Sequence, residues 1–284
     1  MTGQANWNGW DAIIDIALAE DVGTGDITTM ATVAPDARST ARLVTKAAGV
    51  LSGVGVARQV FARVDSTISF ETLVDDGGHV PSGTVIAAIE GPSHGILIAE
   101  RTALNLIQHL SGIATLTCRY VDAVEGTGAC IIDTRKTLPG LRMLEKAAVR
   151  HGGGKNHRIG LSDGVLIKDN HLAAIGGEDR VTRAIAAARA TAPHTLRVEV
   201  EVTTLDEVHE AVAAGADAIM LDNMNIDAMR EAVAIVGGRS LTEASGGVNL
   251  ETVRQIAETG VDLISVGRLT HSAPALDISL QFDF

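Results

Sequence analysis

Two hydrophobic rhythms divide this chain. Between residues 41 and 90, short apolar runs alternate with glycine- and proline-rich breaks: 41–45, 67–73 and 84–89 read as strands, punctuated by Gly49, Gly53, Gly77-Gly78 and Pro81-Ser82-Gly83. Residues 54–64 carry a helical period beside them, and an amphipathic helix over 11–20 precedes them, with Ile13, Ile14, Ala17 and Leu18 on one side. Residues 96–109 form the next expected helix, with Arg101 in its first turn, where a cation opposes the helix dipole by about 0.3–1 kcal/mol. From Cys130 the pattern becomes strand then helix. Strand cores fall at 131–132, 165–167, 198–202, 218–221, 240–242 and 263–266, separated by helical stretches at 141–149, 181–191, 205–214 and 250–259. Repeated βα units build a parallel sheet with right-handed crossovers. Eight such units need roughly 250 residues and this half has about 140, so an incomplete or compact parallel α/β barrel is expected, with an open doubly wound sheet as the alternative. Residues 276–282 alternate with period two, an antiparallel pattern, so the tail is expected to return to the N-terminal sheet. The expected domains are therefore 1–112 plus 271–284, and 113–270.

Composition narrows the class. Hydrophobic residues make up 46 % of the 284, but only seven are aromatic, which suits aliphatic helices packed on parallel strands. A formal charge of −12 argues against a nucleic-acid or membrane-surface partner. No run approaches about 18 apolar residues, so no membrane span is expected. The polar, acidic start lacks the pattern of a signal peptide, and two isolated cysteines, Cys118 and Cys130, suggest reduced thiols in a cytoplasmic protein without a zinc site.

Charge is unevenly distributed. Residues 135–171 hold eight of the 23 Lys and Arg but three of the 35 acids. In parallel α/β folds chemistry collects where strands end. Those ends here read Arg135-Lys136, Lys168-Asp169-Asn170-His171, Glu201, Asp222-Asn223, Ser245-Gly246-Gly247 and Gly267-Arg268. Cations followed by acids and glycine loops suggest one site for a small, highly charged anion. Arg135, Arg158 and Arg101 suit bidentate bonds to carboxylates; Lys136 and Lys168 suit phosphate as point charges. Ser245-Gly246-Gly247, with Asn249 as expected N-cap of a helix from Leu250, and Gly267 offer backbone N–H groups to a phosphate. Glu201 and Asp222 would repel an anion unless they hold a divalent metal or stabilise a transient cation, or are neutralised by local Lys or Arg. His157 is ambiguous on its own, and Arg142, Lys146 and Arg150 sit at helical spacing as an expected solvated face. Gly152-Gly153-Gly154-Lys155-Asn156 lacks the Ser or Thr of a P-loop, and Gly53-Val54-Gly55 lacks the third glycine of a dinucleotide fingerprint.

The chain resembles the quinolinate phosphoribosyltransferase (carboxylating nicotinate-nucleotide pyrophosphorylase) family over nearly its whole length. The most specific carriers are Asp133-Thr134-Arg135-Lys136-Thr137-Leu138-Pro139-Gly140-Leu141-Arg142, Gly152-Gly153-Gly154-Lys155-Asn156-His157-Arg158 and Ile167-Lys168-Asp169-Asn170-His171. Further carriers are the opening turn from Glu20 to Thr28, Glu199-Val200-Glu201, Leu221-Asp222-Asn223 and Ser245-Gly246-Gly247. The resemblance implies that quinolinate and phosphoribosyl pyrophosphate give nicotinate mononucleotide, CO₂ and pyrophosphate with Mg²⁺, a step of NAD biosynthesis. It also implies a seven-stranded-type open (incomplete) parallel α/β barrel beside an N-terminal α/β sandwich domain, assembled as a homodimer. By the same resemblance Arg135, His157, Arg158 and Lys168 hold the quinolinate carboxylates, and Arg101 joins them from the partner subunit. Lys136 contacts pyrophosphate, Glu201 and Asp222 serve ribose and metal, and Ser245, Gly246, Gly247 and Gly267 take the 5-phosphate. Arg268 departs from the small residue expected after Gly267. Alternatives are a related phosphoribosyltransferase with another acceptor, a Schiff-base lyase using Lys168, or a catalytically silent anion-binding protein.

Overall fold

The computed structural model describes residues 10–283; the expectation about the first nine residues lies outside that range. In chain order the elements are α1 (Asp11–Val22), α2 (Ile27–Thr32), β1 (Arg38–Thr45), β2 (Gly49–Val50), α3 (Val54–Val64), β3 (Ser69–Thr72), β4 (His79–Val80), β5 (Val85–Pro92) and α4 (Ser93–Ala123). They continue with β6 (Cys130–Ile132), α5 (Arg142–His151), β7 (Val165–Ile167), α6 (Asp169–Ile175), α7 (Arg180–Thr191), β8 (Val198–Val202) and α8 (Leu205–Ala213). The last are β9 (Ala218–Asp222), α9 (Ile226–Val236), β10 (Leu241–Ser245), α10 (Val253–Ala257), β11 (Leu263–Ser265), α11 (Arg268–His271) and β12 (Ile278–Phe282).

Contacts divide the chain into two compact units. One comprises 1–118, 137–153 and 270–284; the other comprises 119–136 and 154–269. The sequence division and the contact division differ over 137–153, which contain α5. In the first unit a four-stranded antiparallel sheet runs β12-β1-β5-β3. The tail returns as expected: Ala41 pairs with Phe282 and Thr45 with Ile278. Val54, Val56, Ala57, Val60 and Phe61 bury one stripe of α3. The glycine-rich opening turn ends in a short helix, α2, because the Asp26 carboxylate caps it, accepting from Thr29 N–H at 3.0 Å.

Two expectations change in this unit. Because α4 begins at Ser93, Arg101 lies more than two turns inside it, where the end-of-helix dipole penalty no longer applies. The supposed solvated face of α5 is not one either. Lys146 is 1 % exposed and Arg142 partly buried, and only Arg150 is exposed, because the helix buries Leu144, Glu145, Ala148 and Val149 as well.

In the second unit six parallel strands run β6-β11-β10-β9-β8-β7. That is the cyclic order of a barrel in which β6 and β7 do not pair. Beside β6 the chain makes a single parallel bridge, Ile132 with Lys155, through Lys155 N–H to Ile131 O at 2.9 Å and Asp133 N–H to Lys155 O at 3.2 Å. This bridge occupies the place of a seventh strand, and the barrel is open beyond it. The expected strand at 240–242 is displaced to Leu241–Ser245, since Ser240 uses its hydroxyl on Ala216 O rather than joining the ladder. Among the described residues no helix is long and apolar enough to cross a membrane.

Candidate active site

Alternation along β8 and β10 aims the polar groups inward. In Val198-Glu199-Val200-Glu201-Val202 every residue is buried, and a period of two puts both glutamates on one face and the valines on the other. In β10 the same period puts Glu243 and Ser245 on one face. Arg135 and Lys136 follow β6, Lys168 follows β7, and Asp222 ends β9 opposite Ser245 in the parallel register.

Six of the anticipated residues line one cavity of about 320 Å³: Arg135, Lys136, His157, Arg158, Lys168 and Ser245. The segment carrying His157 and Arg158 is held by Asp133, which is fully buried at the end of β6. Its carboxylate accepts from Asn156 Nδ2 at 2.6 Å and from His157 N–H at 2.9 Å. Arg158 gives one guanidinium N–H to Gly164 O at 3.1 Å, while its buried Nε has no acceptor among the described residues. Burial first, and then the nearby Arg135, hold the Arg158 pKa below its ordinary value, against the opposing pull of Glu199 and Asp163. A guanidinium stays charged under such pressure, so Arg158 remains a cation in the cavity wall.

Glu201 is buried and ion-paired with Lys168, whose Nζ donates to Oε2. An ammonium held by a carboxylate is a poor nucleophile, which argues against Schiff-base chemistry at Lys168. Asp222 accepts from Asn223 Nδ2 at 2.8 Å. Gly246 has φ +93°, and a Cβ there would lie 2.2 Å from Asn223 Oδ1, so both conformation and close approach exclude other residues. The helix expected from Leu250 starts only at Val253. Asn249 instead closes the preceding turn, its Oδ1 accepting from the N–H groups of Glu251 and Thr252 at 2.9 and 3.0 Å. Gly267 links β11 to α11, with Arg268 exposed at the helix start. Arg101 is exposed on α4 in the first unit and is not among the residues lining this cavity.

Two residues were overlooked as site groups. Glu199 and Glu243 converge on His157: its Nε2 lies 3.0 Å from Glu199 Oε2 and 3.6 Å from Glu243 Oε2. Burial foremost, and then Glu199, push the Glu243 carboxyl well above the ordinary range, while Ser265 and Lys168 pull the other way. The Val-Glu-Val-Glu-Val alternation was the available signal for Glu199. For Glu243 it was the two-residue offset from Ser245.

Comparison with known proteins agrees over the same residues. Residues 113–281 match the quinolinate phosphoribosyl transferase C-terminal domain, and 26–111 match the N-terminal domain. A Bacillus subtilis protein named "Probable nicotinate-nucleotide pyrophosphorylase [carboxylating]" is 45 % identical over 262 residues, covering 92 % of this chain and 89 % of the relative. The chloroplastic nicotinate-nucleotide pyrophosphorylase [carboxylating] of Arabidopsis thaliana is 44 % identical, covering 96 % and 82 %. The crystal structure of NadC from Streptococcus pyogenes superposes with a TM-score of 0.91 at 42 % identity, covering 97 % of each chain. The chain belongs to the quinolinate phosphoribosyltransferase family.

Proposed function

We infer that this chain is a carboxylating nicotinate-nucleotide pyrophosphorylase of NAD biosynthesis. It transfers the phosphoribosyl group of phosphoribosyl pyrophosphate to quinolinate and releases CO₂ and pyrophosphate, giving nicotinate mononucleotide. The observation that carries the reading is the convergence of Arg135, Arg158 and Lys168 on one cavity. Each charge-assisted hydrogen bond to a carboxylate is worth about 1.5–3 kcal/mol, so several cations select a dicarboxylate over a monocarboxylate.

In the reaction the pyridine nitrogen attacks ribose C1 as the C1–O bond to pyrophosphate breaks. Lys136 stabilises the departing pyrophosphate, Glu201 and Asp222 stabilise positive charge developing on the ribose, and Ser245, Gly246, Gly247 and Gly267 hold the 5-phosphate. The C2–carboxylate bond then breaks, its electron pair being stabilised by the quaternised ring nitrogen, and a proton replaces CO₂. Glycosyl transfer therefore precedes CO₂ loss. Glu201 and Asp222 end adjacent strands and supply only oxygen donors, a set that fits Mg²⁺ completed by phosphate oxygens. When bound there, the ion supplies charge neutralisation on the pyrophosphate. The enzyme is a cytoplasmic homodimer in which Arg101 reaches the partner's quinolinate.

The test is to supply phosphoribosyl pyrophosphate with either quinolinate or nicotinate and measure CO₂ and pyrophosphate. Release of both from quinolinate, with nicotinate inactive, supports the assignment. Turnover of nicotinate but not quinolinate replaces it with the paralogous reading. A decarboxylated pyridine preceding any ribosylated species in a single turnover reverses the proposed order.

A further inference from the structure

Below the charged rim the barrel contains a second layer. His157, Arg158 and Glu243 line the rim cavity and also a second cavity of about 260 Å³, whose other walls include Glu199, Ala218, Leu241 and Leu263 at or near strand starts. These side chains are the floor of one cavity and the roof of the other.

The imidazole orientation in this layer is determined by its partners. The backbone N–H of Arg158 donates to His157 Nδ1 at 2.6 Å. A backbone amide can only donate, so Nδ1 carries the lone pair and Nε2 carries the hydrogen. That Nε2–H faces Glu199 Oε2 at 3.0 Å and Glu243 Oε2 at 3.6 Å. This N–H hydrogen-bonds Glu199 and only approaches Glu243, which the Ser265 hydroxyl also reaches; among the described residues Oε1 of each carboxyl group has no donor. Two carboxylates this close in a buried layer repel each other, and a proton on one removes the repulsion and creates a second donor. Glu243, only 1 % exposed, is the better host for that proton.

We propose that Glu199, as hydrogen-bond acceptor, and Glu243, as neutral acid, form a cradle that locks His157 in its Nε2–H tautomer and so positions His157 and Arg158 for the dicarboxylate. These two glutamates are positioning residues. The neutral state of Glu243 also keeps one negative charge away from the quinolinate pocket. Glu199 faces Glu243 from β8, Lys168 from the end of β7, His157 and Arg158 from the bridging segment, and the Ser265 hydroxyl from β11; Met220 is its apolar neighbour on β9.

The inference rests on the assignment of His157 and Arg158 to quinolinate, so the experiment separates the two. Quinolinate binding by calorimetry and steady-state kinetics are measured for E199Q, E243Q and R158Q in the full-length protein. R158Q is expected to bind quinolinate at least a hundredfold more weakly; normal binding by R158Q overturns the site assignment itself. E199Q removes the acceptor and is expected to raise the quinolinate KM at least tenfold, with the KM for phosphoribosyl pyrophosphate changed less than twofold. E243Q retains a neutral donor and is expected to cost three- to tenfold in kcat/KM. It should also abolish the rise in quinolinate KM that is expected of the wild type as rising pH ionises Glu243. If R158Q fails to bind while E199Q binds as wild type, or if the wild type and E243Q show the same pH dependence of quinolinate KM, the cradle is wrong and the site assignment stands.

Discussion

Each unit buries a glutamate beside a histidine, and the two pairs are completed differently. In the first unit Glu145 is fully buried. Its Oε1 lies 2.8 Å from His109 Nε2, and its Oε2 accepts from Leu138 N–H at 3.2 Å. Both oxygens have donors, so the pair ties the turn before α5 to α4 and has no capacity left for a ligand. In the second unit Glu243 has the Ser265 hydroxyl and a distant imidazole N–H beside it, and among the described residues its Oε1 has no donor, next to a cavity. Satisfied buried acids belong to scaffolds, while an under-satisfied one beside a cavity marks a place where binding free energy is held in reserve.

Three experiments sharpen this contrast, beginning with the largest effect. Arg101→Ala and Lys168→Ala remove the two cations that the proposed function assigns to a site shared between subunits, and on that proposal each should leave the enzyme nearly inactive. After dissociation and reassociation, mixtures of the two should then regain partial activity, since one hybrid site of the proposed dimer would carry both residues; no recovery in verified heterodimers removes Arg101 from the partner's site. Glu145→Ala attacks the scaffold pair. It leaves His109 and Leu138 N–H without an acceptor and should cost about 1–3 kcal/mol in denaturant unfolding, with quinolinate KM unchanged. A raised KM with unchanged stability would put Glu145 on the site side of the comparison.

The smallest effect concerns Asp163. Its carboxylate accepts from Ile159 N–H at 2.6 Å and Gly160 N–H at 2.7 Å, and the Ile159 bond is the main cause of its lowered pKa, against the opposing effect of burial. A depressed pKa in the folded state contributes stability that is complete above the unfolded value and is lost as pH falls through the folded one. The 159–164 loop should therefore be as ordered at pH 5 as at pH 7 and loosen only below about pH 4. Hydrogen exchange in this loop at pH 5 and 7, corrected for intrinsic rates, checks this; early loosening by pH 5 would contradict the assigned bonds. Asp163→Ala should loosen the loop at every pH.

Much of this was legible because period and chemistry coincide. The β8 pattern was read as a strand to its exact bounds, Val198–Val202, and the alternating tail was placed correctly on the first sheet. Where the reading fell short, tertiary contact had overridden a local signal. The helix expected to stop at His109 runs on to Ala123, although Gly112 lies within it. That glycine serves a close approach: a Cβ would lie 2.2 Å from Pro274 O. Lys146 looked solvated because cations at helical spacing usually are, and only packing reveals its burial. Attention to strand ends found Glu201 and Asp222 but passed over Glu199 and Glu243, which lie one step deeper on the same faces. Strand order gives the position of the rim, whereas the floor depends on which side chains meet across the interior.

The pairing of β12 with β1 has a consequence for biosynthesis. Arg42 hydrogen-bonds Asp283, 241 positions later, and the β1–β12 ladder supplies one side of the first sheet. On a ribosome, β1 emerges long before its partner, and at about 5–20 residues per second tens of seconds can separate them. During that interval β1 exposes an unpaired strand edge, the kind of surface chaperones cover. The parallel strands of the second unit are completed by Ser265. Synthesis thus delivers a whole barrel before it delivers the strand that finishes the first sheet, so the part of the chain made first is the last able to reach its native hydrogen bonding.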